Sequence, residues 1–362
     1  EILVSGDETD FCIYKFENNF LVEEWSYSLP GGGAGIEVVD IDDDNSPEII
    51  AGSENGTVFI FKYSASSQTY QLIWDSSGVI NVGYYTFTLT SDWDRDSKKE
   101  IMIFGTNNMA IIEYYADEFT LENSYDIGAY RAAICDIDHD NRYEVITRDR
   151  GDRIYIREIL DLDNCSLNIT AEYISGYGWF SDMGIVDIDN DNLVEILAIG
   201  PLYSDPNNFY AYVIKATGIN KYDVCLKQKL FPRDAYDEFD LVTGTSALYA
   251  LDVDNNDIQE IFMGIPYHII GIYEYDQNVN KLVLRGDSSP EIKGVPISLG
   301  IYRDNSGDSN DPKIILGTTR GIYLLSHNNY TALSIDYNGH LNCMFQQIFT
   351  FDIDNDNTDE LI

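Results

Sequence analysis

The 362 residues carry 62 acidic against 22 basic side chains, a formal net charge of −40, and a field of that sign repels nucleic acid and anionic membrane surfaces. Hydrophobic residues make up 44% of the chain, with 27 Tyr and 16 Phe, which is ample for a core. No apolar run approaches the ~18 residues of a membrane-spanning helix, so neither nucleic acid nor membrane insertion is expected.

In chain order, Glu1-Ile2-Leu3-Val4 opens a first group of strands and matches Glu48-Ile49-Ile50-Ala51, where an apolar strand leaves an acidic loop. The next group shows the unit in full. "AGIEVVDID" leads into a loop bearing Asp40, Asp42, Asp44 and Glu48; "EIIAG" leaves it; "TVFIFKY" and "YQLIWD" follow. Short apolar runs rich in Ile, Val, Tyr and Phe and broken by Gly or Asn are strand signals, and no amphipathic run is long enough for a helix. The loop recurs as Asp92, Asp94, Asp96 and Glu100, then as Asp136, Asp138, Asp140 and Glu144, then as Asp187, Asp189, Asp191 and Glu195. Asp252, Asp254, Asn256 and Glu260 give a fifth copy, and Asp352, Asp354, Asp356 and Glu360 the last. From Asp40 to Asp352 the mean period is 52 residues if one degenerate copy, "YRDNSGDSNDPKIILGTTRGIYLLS", fills the double-length gap. In that copy Lys313 stands where the others have Glu, and the ligand positions fall on Asn305, Gly307 and Ser309, so this loop is expected to be metal-free.

Four strands per unit at this period predict an all-β, seven-bladed β-propeller of four-stranded blades, with residues 1–362 as a single domain. The C-terminal strand 346–353 is expected to join the N-terminal strands 1–27 and close the ring, which removes exposed sheet edges. An open solenoid is the alternative.

Oxygen ligands at alternating positions, closed by a carboxylate, are what a hard cation such as Ca²⁺ requires. Between the ligands stand Ile41, Trp93, Ile137, Ile188, Val253 and Ile353, which period-two geometry turns into the packing between blades. Position six holds Asn45, Ser97, Asn141, Asn192, Asp257 and Asn357, mostly residues that tolerate φ > 0. The Glu at position nine, between strands, excludes an EF-hand, and clustered carboxylates repel unless neutralised. About six Ca²⁺ sites are expected; Mg²⁺ suits the loop less, since it demands rigid octahedral geometry.

The loop, its place between first and second strands and the blade number resemble the FG-GAP calcium propellers, which include the N-terminal head of integrin α-subunits. The resemblance implies calcium binding and recognition of a protein or glycan on the face away from the loops. The sequence departs from that family at position six, where the family often has Gly, at position nine, where it often has Asp, and in lacking a readable Phe-Gly…Gly-Ala-Pro signature.

The interval from Asp187 to Asp252 is 65 residues, and its surplus falls in 200–210 and 231–240, on the loop-free side by strand order. Insertions on a rigid scaffold often carry function. Trp179, Tyr203, Phe209, Arg233, Tyr236 and Phe239 are therefore the candidate ligand contacts, their alternative role being to pack their own loops. Four dispersed histidines and the lack of hydrolase or phosphate-loop motifs argue against an enzyme, a carboxylate-based glycosidase or a polysaccharide lyase being the catalytic alternative. A purely structural ring is the third reading. Arg150-Gly151-Asp152 reads as a hairpin turn. Five unpatterned cysteines speak against a disulfide framework. Weak calcium sites belong with millimolar calcium outside cells, which points to an extracellular or cell-surface module of a longer protein.

Overall fold

A computed structural model describes residues 2–5, 10–17, 20–93, 96–149, 153–161, 166–174, 180–202, 205–230, 247–252, 258–265, 269–288, 296–302, 313–318, 321–327, 332–339, 350–351 and 360–361. Every regular element among them is a β-strand. The chain begins with β1 (Ile2–Ser5), β2 (Asp10–Glu17) and β3 (Phe20–Ser28), a three-stranded antiparallel sheet. Blade I follows as β4 (Gly33–Val39), β5 (Glu48–Ser53), β6 (Val58–Ser64) and β7 (Thr69–Asp75). Blade II is β8 (Phe87–Ser91), β9 (Glu100–Phe104), β10 (Met109–Tyr115) and β11 (Glu118–Tyr125). Blade III is β12 (Arg131–Cys135), β13 (Glu144–Arg148), β14 (Arg153–Asp161) and β15 (Ser166–Ile174). Blade IV is β16 (Asp182–Val186), β17 (Glu195–Leu202), β18 (Asp205–Gly218) and β19 (Lys221–Lys229).

Blade V, of β20 (Ala247–Leu251), β21 (Glu260–Ile265), β22 (Ile269–Asp276) and β23 (Lys281–Ser288), merges with blade VI. Blade VI comprises β24 (Pro296–Tyr302), β25 (Lys313–Thr318), β26 (Gly321–His327) and β27 (Ala332–Gly339). The two outer strands meet in parallel, Asp287 beside Ala332 and Ser288 beside Leu333, giving one eight-stranded sheet. Last come β28 (Thr350–Phe351) and β29 (Glu360–Leu361), which among the described residues pair only with each other.

The described residues thus form six four-stranded blades where the sequence led us to expect seven. The reason lies at the ends. The sequence assigns Glu1–Val4 to the second-strand place behind an acidic loop, yet Glu360–Leu361 takes that place behind the last loop, with Phe351 opposite Glu360. Among the described residues the N-terminal sheet keeps three strands, and of the expected closing strand 346–353 only Thr350–Phe351 is described, paired with Glu360–Leu361.

Core side chains lie between neighbouring sheets. Phe11 and Ile13 of β2 are fully buried against Ile36, Ile49, Phe59 and Phe61 of blade I. Trp25 and Tyr27 of β3 add ring contacts to Phe61 with centroids 5.2 and 4.8 Å apart. Ile50 and Ile60 of blade I meet Ile101 and Ile103 of blade II. Each such side chain contributes roughly 1.5–3 kcal/mol on burial.

Polar locks join the inner strands. The Glu37 carboxylate on β4 accepts the Thr88 hydroxyl at 2.8 Å, the Thr90 amide at 2.7 Å and the Thr90 hydroxyl at 2.9 Å, all on β8. Asp182 on β16 accepts the Leu248 amide of β20 at 3.1 Å. Between blades I and II the backbone itself closes up: the Gly35 amide donates to Thr86 O at 2.8 Å, and a Cβ on Gly52 would strike that same carbonyl.

Candidate metal centre

In blades I to V an acidic loop joins the first strand to the second, as expected. In loop I (40–48), loop II (92–100), loop III (136–144) and loop IV (187–195) the intervening Ile41, Trp93, Ile137 and Ile188 are buried at 3%, 6%, 1% and 4% exposure. They pack between blades and so anchor the loop to the core.

The backbone curls around the first carboxylate. Asp136 accepts the amides of Asp140 and Asn141 at 3.1 and 3.0 Å. Asp40 and Asp187 do the same for their own loops, and Asp92 accepts the Ser97 amide at 3.1 Å. Position six is left-handed, with φ of 66° at Asn45, 72° at Ser97, 68° at Asn141 and 64° at Asn192. Position four is left-handed too, at Asp43, His139 and Asn190, which the sequence reading did not anticipate.

The closing glutamates are the least ordinary groups. Glu48, Glu100, Glu144 and Glu195 are all 0% exposed, and Glu260 is 3% exposed. In each of the first four, Oε2 accepts the position-two amide: Ile41 at 2.9 Å, Trp93 at 2.6 Å, Ile137 at 2.9 Å and Ile188 at 3.0 Å. That bond turns Oε1 into the loop. In loop III both Oε1 of Glu144 and Oδ1 of Asp138 are buried with no hydrogen-bond partner among the described residues. Asp136, Asp138 and Glu144 bring one oxygen each within 4.8 Å of one another, and Asp140, Glu144 and Glu158 do likewise. Burial, and then the charges of Asp138, Asp136 and Asp140, push the Glu144 carboxyl up to about 8, against the pull of the Ile137 hydrogen bond. An orphaned buried carboxylate oxygen facing other carboxylates fits a hard cation, which would supply the missing positive charge and oxygen partner. Loops I, II and IV make similar groups through Asp40, Asp42 and Glu48, through Asp92, Asp96 and Glu100, and through Asp187, Asp189 and Glu195.

Across from the closing glutamate, on the third strand, stands a residue that the motif alone does not reveal. Lys62 faces Glu48 in loop I, and its Nζ lies 2.6 Å from Glu48 Oε1, 2.6 Å from Asp42 and 2.9 Å from Asp44. Burial pulls that ammonium down, but hydrogen bonds to Asp42, Glu48 and Asp44 together raise it above its ordinary value. Lys215 does the same in loop IV, 2.6 Å from Asp191, 3.0 Å from Asp189 and 3.2 Å from Glu195. In blades II and III the facing residue is acidic: Glu113 opposite Glu100 and Glu158 opposite Glu144.

Neighbouring blades cover these loops. Asn220, in the turn between β18 and β19, donates its amide to Asp138, and Tyr222 OH lies 3.3 Å from the same carboxylate. Gln277, in the turn after β22, donates to Asp189 O beside a shallow cleft lined by Ile188, Tyr275 and Arg285. The turns between third and fourth strands therefore share the loop face, as strand order requires.

Asp94, Asp254, Asn256, Asp354 and Asp356 lie outside the described residues, as do Asp352 and the 303–312 stretch of the degenerate copy. Trp179, Tyr203, Arg233, Tyr236 and Phe239 lie outside them too, as does the Arg150–Asp152 tripeptide, which falls between β13 and β14. The 200–210 surplus is not a loop insertion. It lengthens the β17–β18 hairpin, pairing Gly200 with Tyr210, Pro201 with Phe209 and Leu202 with Asp205. Phe209, at 7% exposure, is packed inside the blade and presents little surface.

The opposite face carries a cluster that the sequence reading passed over. The exposed Tyr84 and Tyr85 lie in the β7–β8 connection, and the Tyr85 and Tyr130 rings have centroids 6.0 Å apart. The Arg148 guanidinium lies 5.7 Å from the Tyr130 centroid and donates to Phe180 O at 2.6 Å. Beside it, Arg131 pairs with Asp182 at 3.0 Å.

No protein-family model and no curated protein matches this chain. Solved structures do. The crystal structure of Saccharomyces cerevisiae Sqt1 superposes with a TM-score of 0.63 at 9% identity, covering 99% of this chain and 87% of that one. A protein from Lactobacillus plantarum gives 0.59 at 13% identity, covering 96% and 97%. BBS1N, solved in complex with ARL6DN, gives 0.55 at 8% identity, covering 87% and 84%. Identities this low speak to the fold alone, and together with the sheet order they make the chain a β-propeller of four-stranded antiparallel blades.

Proposed function

We propose that this propeller is a calcium-stabilised recognition module of the FG-GAP kind, extracellular, binding a protein or glycan on the face opposite the acidic loops. The observation that carries the calcium reading is Glu144, fully buried with Oε1 unpartnered among the described residues and turned toward Asp138. The recognition reading draws on Tyr84, Tyr85, Tyr130, Arg131 and Arg148, since aromatic and Arg groups are the usual interface anchors and cations are scarce in a chain of net charge −40. We also propose that residues 346–353 close the ring against the N-terminal sheet. Deleting 346–362 should then yield an aggregating product, whereas a soluble, cooperatively melting monomer would count against closure.

The test is a screen of glycans and surface proteins, with and without Ca²⁺, using the native chain and Tyr84→Ala/Tyr85→Ala. Saturable binding that the double variant weakens at least tenfold supports the module. Undiminished binding moves the ligand off this face, and turnover of a polysaccharide would replace the module with an enzyme.

A further inference from the structure

The acidic loops look alike in sequence, yet the residue facing the closing glutamate differs in charge from blade to blade. Like charges directly across a strand pair destabilise it unless something sits between them. In blade III Glu144 and Glu158 are such a pair, 0% and 3% exposed, with Asp136, Asp138 and Asp140 close by. Arg142 reaches Glu158 at 3.4 Å from the rim but leaves Glu144 Oε1 without a partner. Blade II likewise sets Glu100 across from Glu113, here half-buried, with Lys98 bridging Asp96 and Glu113 at the surface. In blades I and IV the facing residue is lysine. The ammonium reaches three carboxylates of the loop, the closing glutamate included.

The residue at loop position seven varies in step. In loops I to IV it is basic where the facing residue is Glu (Lys98, Arg142) and uncharged where the facing residue is Lys (Ser46, Leu193), whereas loop V, whose register carries Glu274 opposite Glu260, has Ile258 there. Each of loops I to IV thus has one deep charge and, where that charge is negative, a shallow cation outside it.

We propose that the acidic loops belong to two chemical classes: in loops I and IV the ammonium of Lys62 or Lys215 is a permanent internal counter-ion and no divalent ion binds, while in loops II and III the facing glutamate adds a carboxylate to a divalent-cation site. This rests on the calcium reading above and revises its count, because at most four of the six motif loops then take Ca²⁺.

The experiment is a calorimetric Ca²⁺ titration of the metal-stripped full chain, alongside Lys62→Glu and Glu158→Lys, with melts of each in chelator and in millimolar Ca²⁺. Lys62→Glu rebuilds the loop III arrangement in blade I. It should bind one more equivalent than the native chain, melt lower in chelator and recover in Ca²⁺. Glu158→Lys should bind one equivalent fewer and depend less on Ca²⁺ for its melting temperature. An unchanged count in either variant overturns the proposal. So does a Lys62→Glu chain that stays unfolded in Ca²⁺, since the ion must be able to do what the ammonium did. A native chain that takes up no Ca²⁺ refutes the calcium reading itself, a result distinct from native uptake with an unaltered count in the variants.

Discussion

The Ile137 amide donates to Oε2 of Glu144 at 2.9 Å, and that one bond decides which oxygen of the closing carboxylate is left to face the loop. A glutamine at 144 can still accept the Ile137 amide through its carbonyl oxygen while aiming an NH₂ at Asp138. Above about pH 8, where the native carboxyl is ionised, Glu144→Gln should therefore stabilise the metal-stripped protein by about 1 kcal/mol, the scale of one net hydrogen bond, and it should lose the loop III share of the calcium response. Chemical denaturation in chelator and in Ca²⁺ checks both halves. A variant that is less stable in chelator would mean that the native carboxylate is satisfied without an ion.

The pH dependence should have an unusual sign. Glu144 is pushed up to about 8, so between its ordinary 4.5 and that value the folded state holds a proton the unfolded chain has released. Its contribution is fully present below about 4.5 and lost as the pH rises through about 8. Glu37, Glu48 and Glu195 are raised by desolvation as well and act in the same direction. Asp44 and Asp191, held below their ordinary 3.8, act in the opposite sense only in more acid solution. The melting temperature of the metal-stripped protein should fall from pH 5 to pH 8 and stop falling in millimolar Ca²⁺, because the ion binds the ionised form. A stripped protein that grows more stable over that range would contradict this.

Glu37 should matter for stability without touching any loop. Glu37→Ala leaves the Thr90 amide and two threonine hydroxyls at the blade I–blade II seam without their acceptor. The expected cost is about 2–4 kcal/mol, read as a lower urea midpoint at unchanged slope. Glu37→Gln, which keeps an acceptor, should lose less than half of that.

Much of the site was legible in the sequence, because the loop is local. Alternation placed Ile41, Trp93, Ile137 and Ile188 in the core, and Asn at position six signalled the left-handed turn that even Ser97 adopts. What could not be read from the motif depends on registers set elsewhere. Lys62 lies 14 residues beyond Glu48 and becomes its partner only once the β5–β6 hairpin is paired. The 200–210 stretch read as an inserted loop because the interval from Asp187 to Asp252 exceeds the mean period, yet Gly200, Pro201 and Leu202 pair within the β17–β18 hairpin across a bulge.

Gly52 offers a test of how closely the blades approach. An added methyl would collide with Thr86 O, a backbone atom that cannot rotate aside. Gly52→Ala should cost about 1–3 kcal/mol, the usual range for overpacking, and a thermal melt suffices to see it. A neutral result would mean that the β7–β8 connection is able to yield.

The parallel seam of Asp287 with Ala332 and Ser288 with Leu333 has a kinetic consequence. The outermost strand of a blade is ordinarily the first to fray, since nothing but solvent lies beyond it. Here β23 and β27 hold one another, so neither blade V nor blade VI can shed its outer strand alone. In native-state hydrogen exchange, their amides should open as one cooperative unit, slower than those of the outer strands β7 and β11.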